Sequence, residues 1–511
     1  MASVDVLNAN VADLRTQLES GHLTSVQIVS DYLAQIEKHN INGLCVRGII
    51  SVAPRESVIA QAESLDEERR SKGPRGPFHG IPIVVKAGSD NMLTKSSLGM
   101  PTTFGTAALS NAMAAENAAP VDLLLDAGMI ILGKASLSEM NLFKAIPPNT
   151  AGWSSAGGQG LSPYVRGGVR ADATFLGHST PCGSSSGSGI SVASGFSPIA
   201  LGTESDGSLV QPASRAGLYA LKPTPGTVNG TNILSALPYS VVGSMGRTAR
   251  DVADMTSLLT GKEFSHTPTG SWDSVRVGIV EFDPWAAAPF VVEPVEAYTI
   301  QVKAGMRGAA QKIRAMGGIV VENLSLTPFW KFCDDMKSHG LDPDTLWSDG
   351  FESHFNTLMT KFEVAKVRTL AELVEYHRAH ADVCLPPEHP SQAVLERALA
   401  RKPDPDRVNK VETVKREAQA RIQAALERYG VDVIVSHCDG RMASLAASAL
   451  YPVSALPLGY ADFNGRPWGV NAVAGIDGEG KLLELMSLWE RTFPEASQPP
   501  PQLQSPSKHA L

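Results

Sequence analysis

The sequence predicts an α/β sandwich with a mixed central β-sheet flanked by helices. Two observations predict it. Amphipathic helical stretches alternate with short, wholly apolar runs along most of the chain. Those runs, such as Ile81-Pro82-Ile83-Val84-Val85 ahead of Lys86, lack the polar alternation of a half-exposed strand. They suit strands buried on both faces. At 511 residues the chain is long enough to enclose such a sheet in one large core.

Residues 24–39 read as a helix: Thr24 and Ser25 are cap candidates, and Val26, Val29, Leu33 and Ile36 share a face. A shorter amphipathic stretch with Val11, Leu14 and Leu18 precedes it. Residues 1–75 are therefore expected to form an N-terminal helical layer on a body spanning 76–493. Gly80 to Lys86 is a strand ending in lysine. From 117 to 133 the order is helix, Gly128 turn, strand. Val275–Val280, Ile319–Val321 and Val433–Val435 read as strands, and 296–315 and 408–428 as helices. Between 333 and 406 proline clusters break the pattern, which reads as an insertion over the body, lid-like in character. The Pro-, Gln- and Ser-rich tail, 494–511, is expected to be disordered.

Composition narrows the function. A net charge of -8 argues against nucleic-acid binding, which needs a basic face. No run of eighteen apolar residues occurs, so no membrane span is expected, and the N-terminus lacks an apolar signal core. The five cysteines, Cys45, Cys182, Cys333, Cys384 and Cys438, are scattered and odd in number. They read as reduced thiols of a cytoplasmic protein. No metal-ligand spacing appears, and neither metal nor cofactor is expected.

Residues 152–230 are dense in Gly and Ser yet carry Ile190, Val192, Ala193, Ile199 and Leu201 at buried-looking positions. Small residues there permit close approach of backbone to backbone or to a ligand. Two stretches stand out: Pro181-Cys182-Gly183-Ser184-Ser185-Ser186-Gly187-Ser188 and Gly202-Thr203-Glu204-Ser205-Asp206-Gly207-Ser208. With Gly80-Ile81-Pro82 leading to Lys86, they resemble, in order, the three motifs of the amidase signature family. Further similarities are Gly133-Lys134-Ala135-Ser136-Leu137-Ser138-Glu139, Gly157-Gly158-Gln159, Leu221-Lys222-Pro223-Thr224, Tyr451-Pro452-Val453 and Gly465-Arg466-Pro467-Trp468-Gly469-Val470. The resemblance spans roughly residues 10–493.

It implies the α/β/α sandwich of amidase-signature enzymes and hydrolysis of a carboxylic amide through an acyl-enzyme. The nucleophile falls on Ser208, the serine held in a cis peptide on Ser184, and the catalytic lysine on Lys86. The oxyanion hole falls on the backbone N–H groups of Ser205, Asp206, Gly207 and Ser208. The chemistry is coherent. A serine hydroxyl is a poor nucleophile until a base takes its proton. Lysine is a base only when neutral, and burial favours the neutral form. Gly-rich backbone leaves N–H groups free to meet a developing oxyanion. Trp153, Gly157, Gly158 and Gln159 are candidate substrate-binding residues, with Tyr164 and Phe175 as further aromatic candidates. The expected partner is a small-molecule amide, and a homodimer is possible.

This sequence departs from the family pattern in places. Ala87-Gly88-Ser89 stands between the lysine and Asp90, where the pattern has Asp directly after lysine. Cys182 stands where a small residue is usual, and Asp206 where Gly is usual. Other readings compete. Gly183-Ser184-Ser185-Ser186-Gly187 matches a nucleophile elbow, which would make Ser185 the nucleophile with a base such as His437. The elbow needs a preceding strand, and 171–182 is polar. Gly128 to Lys134 nearly matches a phosphate loop, but its interior is an apolar strand. The alternative function is a catalytically impaired family member or an amidotransferase-type subunit working with a partner.

Overall fold

The computed structural model describes residues 3–87, 93–95, 98–145, 149–233, 239–264, 266–267, 270–343, 346 and 349–504. Among these, eleven strands form one mixed sheet. In spatial order they are Ile49–Val52, Ile130–Ala135, Pro82–Lys86, Ile199–Glu204, Val241–Gly246, Tyr219–Lys222, Val453–Tyr460, Pro467–Val473, Val433–His437, Val277–Val280 and Val320–Leu324. Pro82–Lys86 runs parallel to both its neighbours. The middle of the sheet is antiparallel, and the far edge is parallel again.

Alternation along the strands explains the two covered faces. Tyr219, Leu221, Val433, Val435 and Leu456 pack with the helices Ala249–Thr260, Glu296–Ala315 and Glu479–Thr492. Their neighbours Ala220, Ile434 and Ala455 pack with Phe329–Ser338, Arg407–Tyr429 and Met442–Ala449 on the other side. Both faces are apolar, so the runs read as continuous in sequence.

The helix expected over 24–39 is Ser25–His39, started by a full capping box between Thr24 and Gln27. The helices expected near 296–315 and 408–428 are Glu296–Ala315 and Arg407–Tyr429. The N-terminal segment is less purely helical than its sequence suggests, because Ile49–Val52 pairs with Ile130–Ala135 as the sheet's first strand.

Two further differences concern the regions read as irregular. Residues 333–406 contain the helices Phe351–Met359, Leu370–Ala379, Ala381–Cys384 and Ala393–Ala400. Phe362–Val364 pairs with Met113–Ala114, and Phe351 stacks on Phe143 at 4.4 Å. Pro386, Pro387 and Pro390 fall in the gap between Ala381–Cys384 and Ala393–Ala400, so they separate two helices rather than abolishing helical structure. The expected disorder from 494 does not hold over 494–504, and 505–511 lie outside the described residues. Ala496 is buried, Tyr164 Oη donates to Gln498 O at 2.8 Å, and Gln502 Nε2 donates to Pro163 O at 2.8 Å. A proline-rich segment with no core of its own is held by the body it crosses.

Candidate active site

Lys86 ends the strand Pro82–Lys86 and is fully buried. Its amine donates to Ser184 Oγ at 2.8 Å, to Thr203 Oγ1 at 2.9 Å and to Thr203 O at 3.4 Å. Thr203 lies on the adjoining parallel strand. The sheet register thus carries the lysine to the foot of the Ser184 loop.

That loop runs from Cys182 to Ser185, where the helix Ser186–Ala193 begins. Cys182 and Gly183 both have positive φ, 60° and 57°. Glycine adopts this region freely, and a side chain on Gly183 would strike Pro212 at 2.5 Å. Cys182 sits in a small apolar cluster with Ala151, Leu176 and Val291, and burial pushes its thiol pKa up. It is a packed hydrophobe rather than a nucleophile.

Ser184 and the Ser205–Ser208 turn are joined through backbone. Ser185 N donates to Ser208 O at 2.9 Å. Ser185 Oγ donates to Thr203 O at 3.1 Å. Gly202 needs its missing side chain, since a Cβ there would lie 2.8 Å from Ser185 Oγ. Gly207 has φ of 77° and crowds Gln211. Among the described residues, the N–H groups of Ser205, Asp206, Gly207 and Ser208 donate to no protein acceptor. Four such donors on one turn can meet a developing negative charge.

The turn is gripped from behind. Glu204 Oε2 accepts from Leu209 N at 2.7 Å and Val210 N at 2.9 Å. Burial raises the Glu204 carboxyl pKa and lowers that of the Lys222 amine, each opposed by the other's charge. Glu204 Oε1 and Lys222 Nζ have no hydrogen-bond partner among the described residues. Ser138, which the sequence marks only as part of the Gly133–Glu139 stretch and without a role, bridges two loops. Its Oγ donates to Gly183 O at 2.8 Å and accepts from Gly152 N at 2.7 Å, and its N–H reaches Ser184 O at 3.3 Å. Sequence reasoning missed Thr203, although a hydroxyl within the Gly202–Ser208 motif offered the signal.

Through Ser138 the hairpin of Trp153–Ser154 and Gly158–Gln159 is tied to the Ser184 loop. Trp153 stacks on His389 at 4.2 Å, with Lys144 Nζ 4.7 Å from its ring. Gln159 Nε2 donates to Ala151 O and Gly160 O, closing the hairpin's base. Gly157 abuts Ser154 and Ile50, and Gly158 has φ of 72°. Tyr164 is buried and donates to Ala216 O and Gln498 O, so it serves the core. Phe175 packs with the Cys182 cluster, its carbonyl accepting from Ala151 N. Gly88, Ser89 and Asp90 lie outside the described residues.

A second buried network holds the approach to Cys182. Asp439 accepts from Arg215, from Arg466 (each 2.7 Å) and from Tyr298 Oη at 3.0 Å. Arg466 also donates to His178 Nδ1, whose pKa burial pushes down to about 4. The two guanidiniums hold the Asp439 carboxyl well below the usual carboxylate range, against its burial. This network clamps 176–178 to the C-terminal strand pair.

The elbow reading fails on geometry. Among the described residues no strand lies between Gln159 and Ser186, and Ser185 Oγ is committed to Thr203 O. His437 is buried in a strand and stacks on Phe282 at 4.2 Å. Lys134, in the phosphate-loop lookalike, is likewise buried in a strand and donates to Thr102 Oγ1. Among the described residues no cluster of metal ligands occurs, and no helix is long and apolar enough to cross a membrane.

A sequence-family model described as Amidase matches residues 27–438. The chain belongs to the amidase family. It is 28% identical over 506 residues to a probable amidase of Arabidopsis thaliana, covering 96% of this chain and 91% of that one. The structure of native peptide amidase from Stenotrophomonas maltophilia superposes with a TM-score of 0.83 at 28% identity, covering 97% of this chain and 99% of that chain. One glutamyl-tRNA(Gln) amidotransferase subunit, from Deinococcus radiodurans, is 29% identical over 324 residues, 61% of this chain and 59% of its own length. The two amidases thus match this chain nearly end to end. Its chemistry is hydrolysis of amide C–N bonds.

Two outcomes follow from this amidase's site. Glu204→Ala leaves two buried N–H groups without acceptors, at a cost of about 1–3 kcal/mol each. A lower denaturant midpoint together with lower turnover checks this. His437 is buried with its pKa lowered to about 4 by desolvation, so the unfolded chain binds its proton first. Stability is present above about pH 6.5 and is lost as pH falls toward 4. His178, also lowered to about 4, contributes in the same direction, so His437→Phe should make that acid limb shallower in thermal unfolding without changing turnover.

Proposed function

We propose that this amidase cleaves linear, peptide-like amides by acyl transfer, with Ser208 as nucleophile, Ser184 as relay and Lys86 as base. The observation that carries the reading is the 2.8 Å hydrogen bond between the buried Lys86 amine and Ser184 Oγ, beside a turn with four unused N–H donors. The lysine's described hydrogen bonds go to two hydroxyls and a carbonyl. A buried amine within hydrogen-bonding reach of a serine hydroxyl is the arrangement that the proposed relay requires.

In the forward step, neutral Lys86 takes the Ser184 proton as Ser184 takes the proton of Ser208. The Ser208 oxygen adds to the amide carbon, and the oxyanion is met by the N–H groups of Ser205 to Ser208. The same route returns the proton to the leaving amine as the C–N bond breaks. Water then repeats the sequence on the ester, releasing acid and Ser208. The peptide-like substrate class is supported by the likeness to the peptide amidase over nearly the whole chain. Esters with the same acyl group fit the same steps.

The test uses the isolated chain, a fluorophosphonate probe and a C-terminally amidated dipeptide. Labelling on Ser208 and release of ammonia are expected without a partner. Ser208→Ala and Lys86→Met should each lower kcat by roughly 10³-fold or more. Because the base works only when uncharged, kcat/KM falls on the acid side, and Lys86→Met loses that limb. Equal turnover by wild type and Ser208→Ala removes Ser208 from the mechanism. Labelling that appears only with added partner subunits favours the amidotransferase-type reading.

A further inference from the structure

We infer that Arg441 is a positioning residue for the oxyanion turn, acting through the Asp206 side chain; this rests on the proposed role of that turn. Asp206 supplies one of the four unused N–H groups, and its carboxylate is held at both oxygens. Arg441 Nη2 donates to Oδ2 at 2.7 Å, and Ser444 Oγ donates to Oδ1 at 2.5 Å. Arg441 Nε in turn reaches Ser444 Oγ at 2.5 Å, closing a ring of three side chains. The guanidinium is itself fixed, lying over the Phe329 and Trp330 rings at 5.0 and 5.1 Å. Asp206 and Arg441 are 17% and 19% exposed, so water competes weakly for the pair.

The consequence is geometric. A carboxylate pinned at both oxygens fixes the side-chain torsions of Asp206, and with them its Cα and the N–H groups on either side. Glycine usually fills this position in the family motif and offers no such handle. Here the sequence attaches the turn to the start of the helix Met442–Ala449 and, through the aromatic pair, to Phe329–Ser338. Glu204 holds the far end of the same turn through Leu209 and Val210. Donors aimed at a transition state act by being preorganised, so a loosened turn lowers the rate more than it weakens substrate binding.

The test compares wild type, Arg441→Ala, Arg441→Lys, Asp206→Asn and the Arg441→Ala/Asp206→Asn double variant. The fluorophosphonate endpoint counts competent sites, and turnover of the amidated dipeptide is expressed per site. Arg441→Ala should lower kcat per site by about 10- to 100-fold, with KM within about threefold and the rate of phosphonylation reduced in parallel. Arg441→Lys should recover part of the loss, and the double variant should be no slower than Arg441→Ala alone. A merely structural arginine would reduce the number of sites and leave kcat per site unchanged; that result overturns the inference, as do multiplicative losses in the double variant. If Arg441→Ala does not fold, Asp206→Asn carries the test, since it keeps the shape and removes the charge. A wild type that neither labels at Ser208 nor turns over overturns the relay reading itself. A wild type that labels, with variants that match it, overturns only the anchor.

Discussion

The site depends on one buried amine. Lys86 is delivered to the interior by a strand with apolar neighbours on both faces, and its amine meets two hydroxyls and one carbonyl among the described residues. An ammonium at that depth has given up its water, so every group within reach of it bears on whether the proton stays. The sheet register, the Gly/Ser loops and the close packing of Gly202 against Ser185 all serve to bring hydroxyls to that amine.

Much of this was legible in the sequence, and the reason is physical. Strands buried on both faces leave continuous apolar runs, so Pro82–Lys86, Val277–Val280 and Val433–His437 announced themselves. Amphipathic helices with cap residues did the same for Ser25–His39 and Glu296–Ala315. Glycine-rich turns are local, so the two Gly/Ser loops stood out in the sequence, and the structure sets the first of them beside the Lys86 amine.

What escaped was non-local. Ser138 bridges Gly152 and Gly183 across unrelated segments, and the Gly133–Glu139 stretch that contains it does not say which loops it joins. Asp206 is joined to a residue 235 positions away, which no local pattern encodes. Ile49–Val52 is a short edge strand in a helical stretch, fixed by its pairing with Ile130–Ala135 rather than by its composition. The helices between 351 and 400 are short, so tertiary contacts such as Phe143 on Phe351 stabilise what periodicity only hinted at.

The sheet order has a bearing on how the molecule matures. The six strands from Ile49 to Gly246 are neighbours in space, and the five from Val277 to Val473 form the other half, joined where Tyr219–Lys222 meets Val453–Tyr460. Lys86, Ser184 and Ser208 all belong to the first half. A growing polypeptide emerging from the ribosome can therefore bring the proposed nucleophile, relay and base together early, while the arginine that holds Asp206 is still to be made. Full competence waits for the second half to dock, so the nascent chain carries its serines before it carries the brace behind them.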